Sequence, residues 1–185
     1  MKRKFIISLL ILAVIFAGSN LALAQYGHGF GMMGMGPGMM EEVDSEYEFL
    51  IKMIPHHKEA VDNAKILRDN TNREEMKEFA KNIIKVQTEE IEEMEKYLNE
   101  WYPERTNNYQ YDPMMGNYEG LTGDELDYVF LEDMIFHHMG AVMMSQQLIM
   151  QDLDEHQEVY FLARSIRDSQ RREILMMEQW LENWY

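Results

Sequence analysis

Residues 49–61 read FLIKMIPHHKEAV, and residues 130–142 read FLEDMIFHHMGAV. The two stretches align without a gap at an offset of 81, and eight of the thirteen positions are identical. A second pair follows: residues 80–102 align on 163–185 at an offset of 83. They share Ile83/Ile166, Gln87/Gln170, Glu90/Glu173, Ile91/Ile174, Met94/Met177, Leu98/Leu181, Trp101/Trp184 and Tyr102/Tyr185. Each copy therefore holds two segments, and each segment has helical period. In the first, Tyr47, Leu50, Ile54, His57, Val61, Ala64 and Leu67 follow the 4-3 alternation of a packed helix. In the second, over about 73–101, the seam is Ala80, Ile83, Gln87, Ile91, Met94, Leu98 and Trp101. One helical hairpin cannot bury its apolar face alone, whereas two packed together share a continuous core. The expectation is an all-α four-helix bundle made of a duplicated hairpin. Repeat 1 covers about 44–102, a turn-rich linker covers 103–123, and repeat 2 covers about 124–185. Thr122-Gly-Asp-Glu125 has capping-box spacing at the start of the third helix. The linker is long enough for an up-down or a crossover bundle.

Outward from the repeats, the chain changes character. Lys2, Arg3 and Lys4 precede the apolar run FIISLLILAVIFA, and Ala22-Leu23-Ala24 closes the segment. These are the parts of a secretory signal peptide over residues 1–24. Its removal takes away three basic residues, moving the net charge from -16 to -19. The expected location is extracytoplasmic, periplasmic or secreted, with no membrane attachment after cleavage. Residues 25–43 read as a Gly/Met-rich flexible arm, because GHGFGMMGMGPGMM at 27–40 has no helical period and too much glycine for a core.

Composition removes several classes of function. The chain has no cysteine, which excludes disulfides, thiolate zinc sites, Cys-ligated iron–sulfur clusters and thiol catalysis. With 33 acidic and 17 basic residues it lacks the basic face that nucleic acid requires, and it suits a protein that meets cations. Its 18 methionines exceed ordinary usage.

The chemistry is carried by Met-x-x-His-His. Met53, His56 and His57 fall at i, i+3 and i+4 of one helix, and Met134, His137 and His138 do the same in the other copy. That spacing puts all three side chains on one face. Imidazole is the commonest ligand for late transition metals, and thioether beside it selects copper, Cu(I) above all. Either residue alone is ordinary core; two identical dyads at equivalent places of two repeats are not. Gln87, Glu90, Gln170 and Glu173 are expensive on a bundle seam unless satisfied, and are placed to accept the second ring N–H of each histidine. In the arm, His28, Met32, Met33, Met35, Met39 and Met40 are further soft ligand candidates. His156, in the break before the fourth helix, is expected to be solvated.

The pattern F-L-x-x-M-I-x-H-H-x-x-A-V, followed by Q-x-x-E-I-x-x-M-x-x-x-L, resembles a bacterial family of ferritin-like bundles, domain of unknown function family 305. Its better-known members resemble the periplasmic copper-binding proteins of the CopM type. The resemblance covers about residues 44–185. It implies a ferritin-like bundle that binds copper through Met and His in copper tolerance, buffering or storage. On this sequence it implies Met53, His56, His57, Met134, His137 and His138 as ligands, with Met94 and Met177 facing them. One departure stands out. Six positions after the second histidine the second repeat has Met144 and the first has Asn63, so the second site is expected to be richer in sulfur. Pro55, where the other repeat has Phe136, is expected to bend the first site.

The leading reading is an extracytoplasmic copper-binding protein, not an enzyme, that takes Cu(I) in preference to Cu(II). Its partners are copper ions and a copper-delivery or efflux protein. One alternative is a metal-free acidic bundle for protein interaction. The other is a ferritin-like metal oxidase, against which stands the absence of any Glu-x-x-His.

Overall fold

The computed structural model describes residues 41–185. Four helices account for the two repeats: α1 Glu46–Asn70, α2 Glu74–Trp101, α3 Gly123–Met150 and α4 Gln157–Trp184. The signal-like segment and residues 25–40 of the arm lie outside the described residues. Of the arm's last three residues, Val43 is fully buried, and its N–H donates to Gln147 Oε1 at 2.9 Å.

The helix ends follow from local chemistry. Ser45, in extended conformation, caps α1 by accepting from the Glu48 N–H, and Glu46 and Glu48 complement the dipole in the first turn. The helix continues through Pro55. At the end of α3, Asp152 takes φ +55 and the Leu153 N–H returns to the Leu148 carbonyl at 3.1 Å. This is a Schellman turn, with Leu153 packed back on the core beside Leu148. The expected capping box of α3 does not form: the Thr122 side chain makes no cap hydrogen bond. Gly123 opens the helix instead at φ +57, a conformation that favours glycine.

α1 and α3 run antiparallel as the inner pair. The start of α1 meets the end of α3 through Val43 and Gln147, and Arg73, just past α1, pairs with Asp124 at the start of α3 at 3.1 Å. Each inner helix buries two adjacent stripes. In α1 the expected seam is joined by Phe49, Met53, His56 and Ala60, because the helix packs on both α2 and α3. α2 ends beside the start of α1, whereas α3 begins at the opposite end. The connection must therefore run the length of the bundle, about 40 Å for helices of 28 residues. The topology is up-down-down-up with one crossover, a ferritin-like arrangement.

The core is not continuous. Met53, Ile54, Ile91, Met94, Met144, Leu162 and Ile166 belong to one apolar cluster. Leu67, Phe79, Ile83, Phe130, Met134 and Met177 belong to another. A buried polar layer containing both His-His dyads lies between them.

The two ends carry equivalent clasps, each built from both repeats. At one, the buried Glu46 carboxylate accepts from the Tyr102 hydroxyl at 2.9 Å and from the backbone N–H groups of Glu155 and His156 at 2.7 and 2.8 Å. It also accepts from His156 Nδ1 at 2.7 Å. The His156 ring lies flat on Trp101, with centroids 3.8 Å apart and planes 2° from parallel. His156, expected in solvent, is instead held by a carboxylate 110 residues away in the sequence. At the other end Asp127 and Arg73 take the equivalent places. Arg73 Nε lies 3.5 Å from Asp127 Oδ2, and its guanidinium covers Trp184 at 4.6 Å.

Candidate metal centre

Helical spacing brings His56 and His57 to one face of α1, and His137 and His138 to one face of α3. Where these inner helices cross, His56 and His137 meet with ring centroids 3.7 Å apart and planes tilted by 35°. Both residues are buried, at 2% and 0% exposure. The outer histidines turn toward the hairpin partners. His57 Nε2 contacts Glu90 Oε2 at 2.9 Å, and His138 Nε2 contacts Glu173 Oε2 at 2.7 Å. Gln87 and Gln170, also expected around the rings, are buried with side-chain oxygens that lack a partner.

Six ring nitrogens in this layer have no hydrogen-bond partner: Nδ1 and Nε2 of His56, Nδ1 and Nε2 of His137, and Nδ1 of His57 and of His138. Each orphaned buried polar group costs about 1–3 kcal/mol, so a concentration of them asks for a use. Burial first, and then the neighbouring histidines, hold His56 well below the ordinary imidazole range. Burial likewise pushes His137 down to about 4, with Glu59 opposing it. These rings are neutral at pH 7, the form that ligates metals.

Glu59 was not singled out from sequence. Its Oε2 lies 3.2 Å from His137 Nε2, at an angle that forms no aligned hydrogen bond. It accepts from the Tyr111 hydroxyl and from the N–H groups of Met114 and Met115 at 2.9 and 3.0 Å. Burial pushes its carboxyl up, but the contacts with His137, Tyr111 and Met115 outweigh this and hold it at about 2. Tyr111 stands edge-on to His56 at 6.2 Å, its hydroxyl pushed far up by burial and by Glu59. The crossover thus passes over the histidine pair. One signal pointed there: Met114-Met115-Gly116 repeats the Met-Met-Gly of Met32-Met33-Gly34 in the arm.

The expected sulfur ligands are divided. Met53, Met94 and Met144 are buried in one apolar cluster, and Met134 and Met177 in the other. Met144 therefore lies in the cluster with Met53 rather than with Met134 of its own repeat. Phe136, opposite Pro55 in the repeat alignment, is exposed. Among the described residues no three His, Asp or Glu side chains are gathered to hold one ion. The unpartnered donors are imidazole nitrogens, with the carboxylates of Glu59, Glu90 and Glu173 against the rings. Imidazole suits a late transition ion needing few ligands better than a hard cation that needs an all-oxygen shell.

The family described as domain of unknown function DUF305 matches residues 46–154 and again 127–185. The chain belongs to this family. The second match begins 81 residues after the first, the same offset that separates the two histidine dyads. Solved DUF305-like structures share the fold. CopM in its Cu(II)-bound form has 33% identity and a TM-score of 0.68, covering 78% of this chain and 100% of that one. CopM in its Cu(I)-bound form is equally similar, at 33% identity, TM-score 0.68, and coverage of 77% and 99%. A DUF305 fragment from Deinococcus radiodurans has 30% identity and a TM-score of 0.64, covering 76% and 97%. Among curated proteins no relative matches.

Proposed function

We propose that this DUF305 protein binds copper outside the cytoplasm, Cu(I) in preference to Cu(II), for tolerance, buffering or storage. The observation that carries the reading is the layer of four buried imidazoles with six unpartnered ring nitrogens. The CopM structures support it, since that protein is seen with Cu(I), Cu(II) and silver. His56 and His137 are the central ligands, with His57 and His138 oriented by Glu90 and Glu173. Among the buried methionines Met53, Met94, Met134, Met144 and Met177 remain sulfur candidates. His28 and the arm methionines Met32, Met33, Met35, Met39 and Met40 would capture the ion before the bundle holds it. A delivery or efflux protein would be the partner. The signal-like start supports export, and no helix among the described residues is long and apolar enough to cross a membrane.

The test is an anaerobic Cu(I) titration of residues 25–185 against a chromogenic chelator, with Zn(II) and Fe(II) as controls. The comparison protein carries His56→Ala, His57→Ala, His137→Ala and His138→Ala together. Tight Cu(I) uptake that this variant loses is the expected result. Uptake indifferent to all four substitutions would refute the reading.

A further inference from the structure

The centre departs from the symmetry of the repeats at one pair of positions. Glu59 and Gly140 are equivalent under the 81-residue offset, between a shared His-His and a shared Ala-Val. Glu59 reaches out to the crossover. Its carboxylate takes the backbone N–H of Met114 and Met115 and the Tyr111 hydroxyl, pinning that segment against α1 at the level of the histidine pair.

Gly140 does the opposite and makes room. A Cβ at this position would lie 3.1 Å from His56 Nε2, 3.4 Å from Met114 Cε and 3.6 Å from Met114 Sδ. The ring nitrogen and the thioether therefore border the same small space. The backbone does not demand glycine there. Gly140 sits in the middle of α3 with no positive φ, where glycine is a poor helix former. Space is what its missing side chain supplies. His56 Nε2, which borders that space, is one of the nitrogens without a partner. A thioether is a weak hydrogen-bond acceptor and a good ligand for a soft ion.

We propose that Met114, carried by the crossover segment, is a sulfur ligand to copper beside the His56–His137 pair, with Glu59 as the latch that positions it. The chain then builds one asymmetric site at its centre instead of one site per repeat. Met115 shares the latch through its backbone but packs against the second apolar cluster, so it is the natural control. The assignment rests on the copper reading above, and the experiment separates the two.

The protein is loaded with half an equivalent of Cu(I), so that the tightest site fills first, and its affinity is read by chelator competition. X-ray absorption reports copper–sulfur scattering, and circular dichroism reports the fold. The variants are Met114→Leu, Gly140→Ala, Met115→Leu, and His56→Ala with His137→Ala. Met114→Leu and Gly140→Ala are expected to weaken the site by about tenfold or more and to reduce the sulfur signal. Met115→Leu should match the parent, and Met114→Leu should melt at the parent's temperature. If the double histidine variant loses copper while Met114→Leu keeps the parent's affinity and sulfur signal, Met114 is no ligand and the copper reading survives. If the double histidine variant keeps its copper, both fall.

Discussion

The two halves of the chain agree where they orient imidazoles and part where a single-copy segment passes over them. His57 on Glu90 and His138 on Glu173 are copies of one device. Glu59 and Gly140 are not, because the crossover traverses the bundle once and can be latched from one side only. The ends repeat the lesson. Glu46 is filled with donors, whereas Asp127, its equivalent, has two buried oxygens without a hydrogen bond and a nearby Arg73. Duplication supplied the frame, and the loops joined to it decided what each copy does.

The largest expected effect lies at the ends. Glu46→Ala removes the acceptor from two backbone N–H groups, the Tyr102 hydroxyl and His156, and should cost about 3–5 kcal/mol in urea unfolding. Asp127→Ala should cost only about 1 kcal/mol, because burial pushes that carboxyl up against the pull of Thr71 and Arg73. Equal costs would mean that the ends are built alike after all.

A smaller effect sets the centre against the ends. In the metal-free protein the folded pKa of His137 is pushed below its unfolded value of 6.5, to about 4, and that of His56 is lowered as well. The unfolded chain therefore binds more protons in that interval. Stability is fully present above pH 6.5 and falls as the pH drops toward 4, by about 3 kcal/mol for His137 alone. Glu59, held at about 2 against an unfolded value of 4.5, adds a second decline below pH 4.5. Unfolding measured from pH 7 to 4 should show the first slope, and His137→Phe should flatten it. A flat profile in the parent would contradict the neutral buried pair.

The smallest effect isolates the latch. Glu59→Gln keeps an acceptor for the crossover N–H groups but removes the charge, and should cost about 1–2 kcal/mol. It should also speed proteolysis within residues 103–122 without loosening the helices. Cleavage at the parent's rate would show that the crossover is held by other contacts.

The four helices and their pairing into hairpins were legible in the periodicity, because a helix that packs on one neighbour advertises one stripe. α2 and α4 are such helices. α1 and α3 pack on two neighbours each, and in α1 the second stripe of Phe49, Met53, His56 and Ala60 widens the buried face until no single seam stands out. The dyads were visible as a motif; their meeting across the bundle was not, because it depends on the crossover direction that loop length left open. Glu59 and Met114 were missed for a related reason. Their partners lie 55 residues apart, and no local pattern records such a pairing. His156 was misjudged because a break between helices reads as solvent, while here it folds onto Glu46 and Trp101.

The contact between His56 and His137 also has a history written into it. A single hairpin carries half of that contact. Two separate copies of one hairpin, associated about the same axis, would bring identical histidines face to face as a homodimer. In such an ancestor the position of Glu59 and the position of Gly140 were one residue, and a change in it fell on both sides at once. Within one polypeptide the two positions are free to differ, and here one grips the strap while the other leaves a hollow beneath it.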